Sequence, residues 1–263
     1  MTAADALPTA VRLARQAGEL QLARRDELVV HGTKAHVNDL VSDVDLASED
    51  LLAAGLREAF PDDGVLGEEG TDLPGTSGRR WVLDPIDGTR NYITRSGSWS
   101  VCVALREPGE ATALAVVHDP VLDETFTAVA GGGAHLNGSP IRASTTSALD
   151  RALLALTFNP SPETRDRVGR LLPHLLRAVG DLRRYPAALH LAYLASGRVD
   201  VGLLLDTKPW DVMAGHLIAA EAGVVLTGPG GTPTPELTLS SAPALWPQFG
   251  RRVLPLLQPG NRG

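Results

Sequence analysis

The chain of 263 residues carries 31 acidic and 24 basic side chains, a formal net charge of −7, with 43% hydrophobic and 21% charged residues. That composition excludes wholesale disorder, and the acidic balance argues against a nucleic-acid or membrane-surface protein, which would present a basic face. The single cysteine, Cys102, excludes an internal disulfide and a Cys-rich zinc site. It sits in the apolar run Val101–Leu105 and reads as a buried strand residue. No run approaches the ~18–20 apolar residues that span a bilayer, and no basic stretch followed by an apolar one opens the chain. A cytoplasmic protein with neither nucleic acid nor membrane as partner is expected.

Residues 5–24 read as an amphipathic helix, with Val11, Ala14, Ala17 and Leu20 at three-residue steps and Arg12, Arg15 and Glu19 between them. Residues 44–60 read likewise, with Leu46, Leu51, Leu52, Leu56 and Phe60 inward, stopped by Pro61-Asp62-Asp63-Gly64. A short apolar Val65-Leu66 leads into Gly67-Glu68-Glu69-Gly70, and residues 71–80 read as a loop. Strands are expected at 81–83, 99–105, 113–118 and 124–130, with turns at Gly131-Gly132-Gly133 and Asn137-Gly138. From about residue 149 the pattern alternates, with helices at 162–179, 187–196 and 211–222 and strands at 199–205 and 224–226. An antiparallel-rich first half (1–148) and an alternating second half (149–263) suggest two α/β subdomains of one unit sharing a site.

The densest chemistry is Asp84-Pro85-Ile86-Asp87-Gly88-Thr89. A buried strand ends in two carboxylates three residues apart, Pro85 fixes one φ, and Gly88 permits a tight turn. Both carboxylates then aim at one point, where the Gly88 and Thr89 amides can face an anion. Paired carboxylates repel unless a cation lies between them, and hard oxygen ligands without cysteine suit Mg²⁺. Asp45, Glu68 and Asp211 sit in similar settings, although each taken alone also reads structurally: a helix-start carboxylate, a solvated turn residue and an N-cap. The composition and spacing point to Mg²⁺-dependent phosphoryl chemistry.

The run Asp84-Pro85-Ile86-Asp87-Gly88-Thr89-Arg90-Asn91-Tyr92 resembles the signature of the inositol monophosphatase family. Three further motifs match in order: Asp39-Leu40-Val41-Ser42 with Asp45; Gly67-Glu68-Glu69; and Trp210-Asp211 with Gly215 and Glu221-Ala222-Gly223. Lys34 and Gly132-Gly133-Ala134 with Asn137-Gly138 also fit, so the resemblance spans roughly residues 8–245. It implies an α/β (α+β) layered αβαβα sandwich and hydrolysis of a phosphate monoester by metal-activated water. Glu68, Asp84 and the Ile86 carbonyl would hold one Mg²⁺, Asp84, Asp87 and Asp211 a second, and Glu68 would support a weaker third, giving two to three ions per subunit. Thr89, hydrogen-bonded to Asp45, would position the attacking water, with Glu68 also in the catalytic set, and Gly88, Thr89 and Asp211 would contact the phosphate. A small phosphorylated metabolite as substrate, inhibition by Li⁺ and a homodimer are further implications.

Two departures concern substrate recognition. Tyr185-Pro186 stands where inositol-type members carry Gly-Ser or Gly-Thr, and Leu204 where they often place a sugar-binding Glu, with Asp206 two residues on along the same strand face. The Thr89-Arg90-Asn91-Tyr92 ending resembles inositol-type members more than nucleotide 3′-phosphatases, and histidinol-phosphate phosphatases share much of the pattern; histidinol-phosphate, fructose-1,6-bisphosphate and adenosine 3′,5′-bisphosphate phosphatase activities stand as alternatives. A catalytically idle regulatory or binding relative is the alternative of a different class. None of the seven histidines has metal-ligand spacing. His190, after the altered segment, is a candidate for substrate contact, as are Arg183, Arg184 and Asp206.

Overall fold

A computed structural model describes residues 2–27, 29–33, 40–109 and 111–257. Lys34, His36 and Asp39, and the side chain of His31, lie outside the described residues. The first helix, α1 (Ala3–Arg24), starts at a capping box in which Thr2 and Asp5 bond reciprocally. Its buried stripe is Ala6, Ala10, Leu13, Ala14, Ala17, Gly18 and Gln21. Val11 and Leu20, expected on that stripe, lie at its half-buried margin, because the small residues define the face that approaches most closely. Ser42 caps the second helix, α2 (Asp43–Ala59). Here the inward face begins at Val44 and Asp45 and continues through Ser48, Glu49, Leu52 and Leu56. Leu46, expected inward, is 41% exposed, since two residues of helix rotate it about 200° from Val44. Leu13 of α1 fills the notch above Gly55, where a Cβ would collide with it.

Eight strands form the first sheet: β3 (Gly64–Gly67), β4 (Asp72–Leu73), β5 (Arg80–Asp87), β6 (Ser100–Arg106), β7 (Thr112–Asp119), β8 (Glu124–Val129), β9 (Ala134–Leu136) and β10 (Ser139–Pro140). Their order is β10-β9-β8-β7-β6-β5-β3-β4, antiparallel except for the β3–β5 pair. The strands β1 (Val30–Thr33) and β2 (Leu40–Ser42) pair separately. A second, five-stranded sheet contains β11 (Leu153–Phe158), β12 (Asp181–Arg183), β13 (Val201–Leu205), β14 (Val225–Thr227) and β15 (Leu237–Ser241), in the order β12-β11-β13-β15-β14. The β12-β11-β13 core of that sheet is parallel.

Strand alternation sends neighbouring residues to opposite faces and so builds three layers of core. Val101, Val103 and Leu105 of β6 meet α1 and α2, whereas Cys102 and Ala104 face a middle layer. That layer is α5 (Ala187–Ala195) and α6 (Pro209–Glu221), packed between the sheets with Ala155 and Leu204 from the other side. Leu154, Leu156, Val201, Leu203 and Leu205 point outward to α4 (Pro162–Leu176) and α7 (Trp246–Leu257). The αβαβα sandwich expected from the resemblance is the observed architecture. Cys102 is buried on β6 as expected. The hairpin turn read at Asn137-Gly138 joins β9 to β10, whereas strands β4, β11, β12 and β15 and helix α7 were not anticipated. Helix α7 contains Pro247 in its first turn, where a missing N–H is tolerated, and Pro255 near its end.

The feature that positions the site is the end of β5. The strand does not stop at Leu83 but continues to Asp87, with Asp84 opposite Cys102 and Asp87 opposite Ser100. Three residue steps on β5 match two on β6, so Pro85-Ile86 form a bulge that redirects the strand. Gln21 secures the bulge from α1. Its amide donates to the Pro85 carbonyl (2.8 Å) and to Ser48 (3.3 Å), while its oxygen accepts from the Trp99 indole (3.0 Å). Its own carbonyl accepts from the Tyr92 hydroxyl (2.8 Å). Gly88 follows at φ 100°, and α3 (Thr89–Ile93) begins.

Helix α1 meets β7 at Gly18, where a Cβ would lie 2.8 Å from the buried His118 ring. Arg15 donates to the Thr125 hydroxyl, which stands 3.0 Å from His118 Nδ1. Burial, and then the charge of Arg15, push the His118 pKa down to about 4. Its unfolded value is ~6.5, so the unfolded chain binds a proton that the folded chain refuses. The stability contributed by this group is full above about pH 6.5 and is lost as pH falls toward 4. Urea unfolding at pH 7 and pH 5, in saturating Mg²⁺, checks this against His118→Gln. Wild type should lose about 2 kcal/mol more than the variant over that interval, and identical pH dependence in the two proteins would refute it.

Candidate active site

Four carboxylates arrive at one place from two elements and one turn. Asp84 lies before the β5 bulge on the face that looks into the middle layer, 1% exposed. Asp87 lies after it and accepts from the amides of Ala187 (3.2 Å) and Ala188 (2.7 Å), the first turn of α5. Asp211 comes from the first turn of α6, where it accepts from Lys208 N (2.8 Å). It is thus the third residue of that helix rather than the N-cap, which is Lys208. Glu68 rides on the turn after β3. Glu49 on α2 clamps that turn, accepting from Glu69 N (2.8 Å) and Thr71 N (2.9 Å). A Cβ at Gly67 would collide with the Glu49 carboxylate, so glycine there lets the clamp close.

Asp45 and Thr89 are also brought together. Asp45 is fully buried, accepts from Ser42 N (2.9 Å) and the Ser42 hydroxyl, and so closes the capping box of α2. Its other oxygen lies 3.2 Å from Thr89 Oγ1, which is also 3.1 Å from the Ile86 carbonyl. Both readings of Asp45 hold at once: it caps a helix start, and it faces the Thr89 hydroxyl. Asp211 likewise accepts an amide at the start of its helix and belongs to the carboxylate cluster.

The electrostatics are those of a cation site. One oxygen each from Glu68, Asp84 and Asp211 lies within 4.8 Å of the others. Asp84 Oδ1 is buried without a hydrogen-bond donor. Burial, then the charges of Glu68, Asp87 and Asp211, raise the Asp84 pKa well above the usual carboxylate range. Burial pushes Asp87 up to about 7, against the lowering effect of the Ala188 and Ala187 amides. Asp211 is raised by burial and then by Asp87 and Glu68. A divalent cation would remove the repulsion and supply the orphaned oxygen with a partner. The oxygen-only donor set fits Mg²⁺.

These residues line one cavity of about 340 Å³. Its walls include every expected metal and phosphate residue, Glu68, Asp84, Ile86, Asp87, Gly88, Thr89 and Asp211. Pro186 presses on Gly88, where a Cβ would stand 2.8 Å from the ring. Of the candidate substrate contacts, Arg184 and Tyr185 line the cavity. Three others do not. His190 is fully buried behind Thr157, with Nδ1 2.9 Å from its hydroxyl, and burial holds its pKa down to about 3. Asp206 leaves the strand at φ 55° and accepts from Thr164 (2.6 Å), so it is not on the face of Leu204. Arg183 pairs with Asp181 on the surface (2.6 Å). Leu204 itself is buried in the middle layer, beside Thr157 in register. Residues not singled out from the sequence also line the cavity, among them Arg90, Thr157, Phe158 and Asn159. Glu49 was missed as well, although its position four residues after Asp45 places both on one helix face.

The chain is similar in sequence and fold to known proteins. The sequence profile of the inositol monophosphatase family matches residues 3–254. Nus factor SuhB of Escherichia coli is 39% identical over 226 residues, 84% of either chain. Among solved structures, the extragenic suppressor protein suhB of Bartonella henselae superposes with a TM-score of 0.88 at 28% identity, covering 96% of this chain and 98% of that one. The Thermotoga maritima IMPase superposes at 0.85 and 29% identity, with the same coverage.

Glu49 gives the site a direct test. In Glu49→Gln one acceptor oxygen becomes an NH₂ group, so one of the two turn amides loses its partner, at a cost of about 1–3 kcal/mol. The Mg²⁺ concentration needed for half-maximal thermal stabilisation should rise about tenfold, the usual effect of loosening a ligand's support. A folded Glu49→Gln protein with an unchanged Mg²⁺ response would show that the clamp does not position Glu68.

Proposed function

The chain belongs to the inositol monophosphatase family, and from that premise we propose that it is a Mg²⁺-dependent phosphatase acting on a small-molecule phosphate monoester. The observation that carries this reading is the orphaned Asp84 oxygen inside the Glu68–Asp84–Asp211 cluster, in the same cavity as Thr89, whose hydroxyl bonds to the buried Asp45. Glu68, Asp84 and the Ile86 carbonyl would hold one ion, Asp84, Asp87 and Asp211 a second, and Glu68 would support a third. Bound Mg²⁺ supplies an activated water, charge neutralisation of the phosphate and stabilisation of the leaving alkoxide.

The remaining work falls to the chain. Asp45 has one oxygen fixed by Ser42, leaving the other to accept from Thr89. With its proton directed at Asp45, the Thr89 oxygen offers a lone pair to the proton of the attacking water, which orients that water and opens a route for its proton. Glu68 faces the same space from the other wall. Amides at Gly88 and Thr89 bind the phosphate oxygens, with Gly88 held against Pro186. Tyr185-Pro186 in place of a small pair favours a broad or shifted substrate range, whereas Leu204 is buried in the middle layer away from the cavity lining. Turnover of inositol 1-phosphate, histidinol phosphate, fructose 1,6-bisphosphate and adenosine 3′,5′-bisphosphate would rank the candidates.

We place the protein in the cytoplasm as a homodimer, an assembly that sedimentation would test. Among the described residues no helix is long and apolar enough to cross a membrane. The relatives named Nus factor SuhB favour a second reading, a non-enzymatic role of the kind that name denotes. Absence of phosphatase turnover in metal-loaded protein would leave that reading in place.

Asp84→Asn keeps the shape of the side chain and removes the charge shared between two ions. Turnover should fall by about 2–3 orders of magnitude, equivalent to about 3–4 kcal/mol of transition-state stabilisation, with the fold retained. Near-normal turnover by the folded variant would reject the ligand assignment. A metal titration after chelation supplies an independent check: activity should return with Mg²⁺ in roughly the millimolar range, Ca²⁺ should compete without supporting turnover, and Li⁺ should inhibit. Full activity in excess chelator would rule the mechanism out.

A further inference from the structure

A side chain that reads the body of a substrate must keep hydrogen-bonding capacity the protein has not already used. The neutral polar side chains lining the cavity are Thr89, Asn91, Thr157, Asn159, Tyr185 and Thr207. Thr89 is turned to Asp45 and the Ile86 carbonyl, and Asn91 gives an N–H to the Ser98 carbonyl (2.8 Å). Thr157 spends its one hydroxyl proton on the Tyr185 carbonyl (2.8 Å) and stands 2.9 Å from His190 Nδ1. Thr207 donates to the Pro235 carbonyl (2.7 Å). The Tyr185 ring packs on the middle layer, edge-on to Tyr193 at 5.0 Å. The Asn159 carboxamide is left, half-buried and with no side-chain hydrogen bond among the described residues. Its backbone is nevertheless fixed. The Asn159 N–H donates to the Leu205 carbonyl (3.1 Å) just past the end of β11, and Pro160 keeps the residue before it in extended geometry. Phe158, on its other side, lies 4.2 Å under the Arg184 guanidinium. A rigid backbone carrying an uncommitted amide at the cavity wall is preorganised for recognition.

We propose that Asn159 is the specificity-determining residue of the cavity and that its carboxamide binds two adjacent hydroxyls of the substrate. The side chain sets an acceptor oxygen beside an NH₂ donor, so one hydroxyl donates to Oδ1 while its neighbour accepts from Nδ2. A phosphate ester without that diol leaves the amide unpaired in a partly desolvated wall, which is the basis of strong discrimination. The inference rests on the phosphatase reading and divides its candidate substrates. Inositol 1-phosphate and fructose 1,6-bisphosphate carry adjacent free hydroxyls, whereas histidinol phosphate carries none and adenosine 3′,5′-bisphosphate only one.

The test compares matched ligands that differ by one hydroxyl of a diol. Binding to Ca²⁺-loaded protein is measured by calorimetry for ribose 5-phosphate against 2-deoxyribose 5-phosphate, and for glycerol 3-phosphate against 3-hydroxypropyl phosphate. In at least one pair the diol should bind about tenfold more tightly. Asn159→Leu, close in size and without polar atoms, should abolish that preference. Asn159→Asp should keep part of it, since a carboxylate still accepts from hydroxyls. The readout is the ratio within one protein, because a merely structural role for Asn159 would weaken both members of a pair alike. No preference in either pair by the wild type, or a preference that survives in Asn159→Leu, overturns the proposal; should Asn159→Leu not fold, Asn159→Ala decides. Turnover of p-nitrophenyl phosphate with Mg²⁺ by the wild-type preparation, a substrate with no diol, reports separately on the phosphatase reading.

Discussion

Mutual repulsion among Glu68, Asp84, Asp87 and Asp211 is the constraint around which the molecule is organised. Four carboxylates in one partly buried cavity are costly before any cation arrives, and each must be held where the chain would not otherwise leave it. The structure does this almost entirely with backbone groups. The Ala187 and Ala188 amides hold Asp87, Lys208 N holds Asp211, and Ser42 holds Asp45. Glu49 works in the reverse sense, as a buried carboxylate that holds two amides of the turn carrying Glu68. Backbone donors are rigid, so Asp87 and Asp211 are each held in place by neutral amides.

Such holding requires the two sheets to meet at the site. Asp84 and Asp87 come from the first sheet, while the amides that fix Asp87 and the carboxylate of Asp211 come from the helix pair between the sheets. Close packing of that pair is set by Gly215, where a Cβ would lie 2.7 Å from Leu191. The Glu221 carboxylate then ties the end of α6 back to the first sheet, accepting from Gly131 N (2.7 Å) and Gly133 N (2.8 Å) in the turn before β9. A sequence feature that reads as a glycine-rich hairpin turn is thereby an anchor for the helix that delivers Asp211.

Legibility in the sequence followed the range of the interactions. The acidic cluster was readable because its members sit in short motifs with local geometry: a strand end, a turn and two helix starts. The layered fold was readable through the family resemblance, whereas the residue pattern alone suggested only two α/β subdomains. What escaped depends on partners far away in sequence. The inward face of α2 starts at Val44 because Asp45 and Glu49 reach the site, and hydrophobicity alone favoured Leu46. Strand β5 runs on through Pro85 because Gln21, 64 residues earlier, supports its bulge. Asp206 was assigned to the face of Leu204 by strict alternation, which its left-handed backbone breaks.

The cavity wall that carries Thr157 and Tyr185 is tied to the carboxylate cluster through one short segment. Thr157 gives its only hydroxyl proton to the Tyr185 carbonyl (2.8 Å), so His190 Nδ1 must carry a proton and donate it to Thr157. The opposite nitrogen, Nε2, is then an acceptor, buried without a donor, and the Ser240 hydroxyl is likewise unpartnered. Both lie so close above Gly202 that a Cβ there would strike them. The Thr157 hydroxyl of this polar pocket fixes the Tyr185 carbonyl, Tyr185 leads into Pro186, and Pro186 bears on Gly88 and opens the helix turn that holds Asp87. Tyr185-Pro186 therefore does more than shape the wall of the cavity. Its proline also sets the spacing between the Gly88 turn and the amides that fix Asp87, so exchanging it for a small, flexible residue would alter both together.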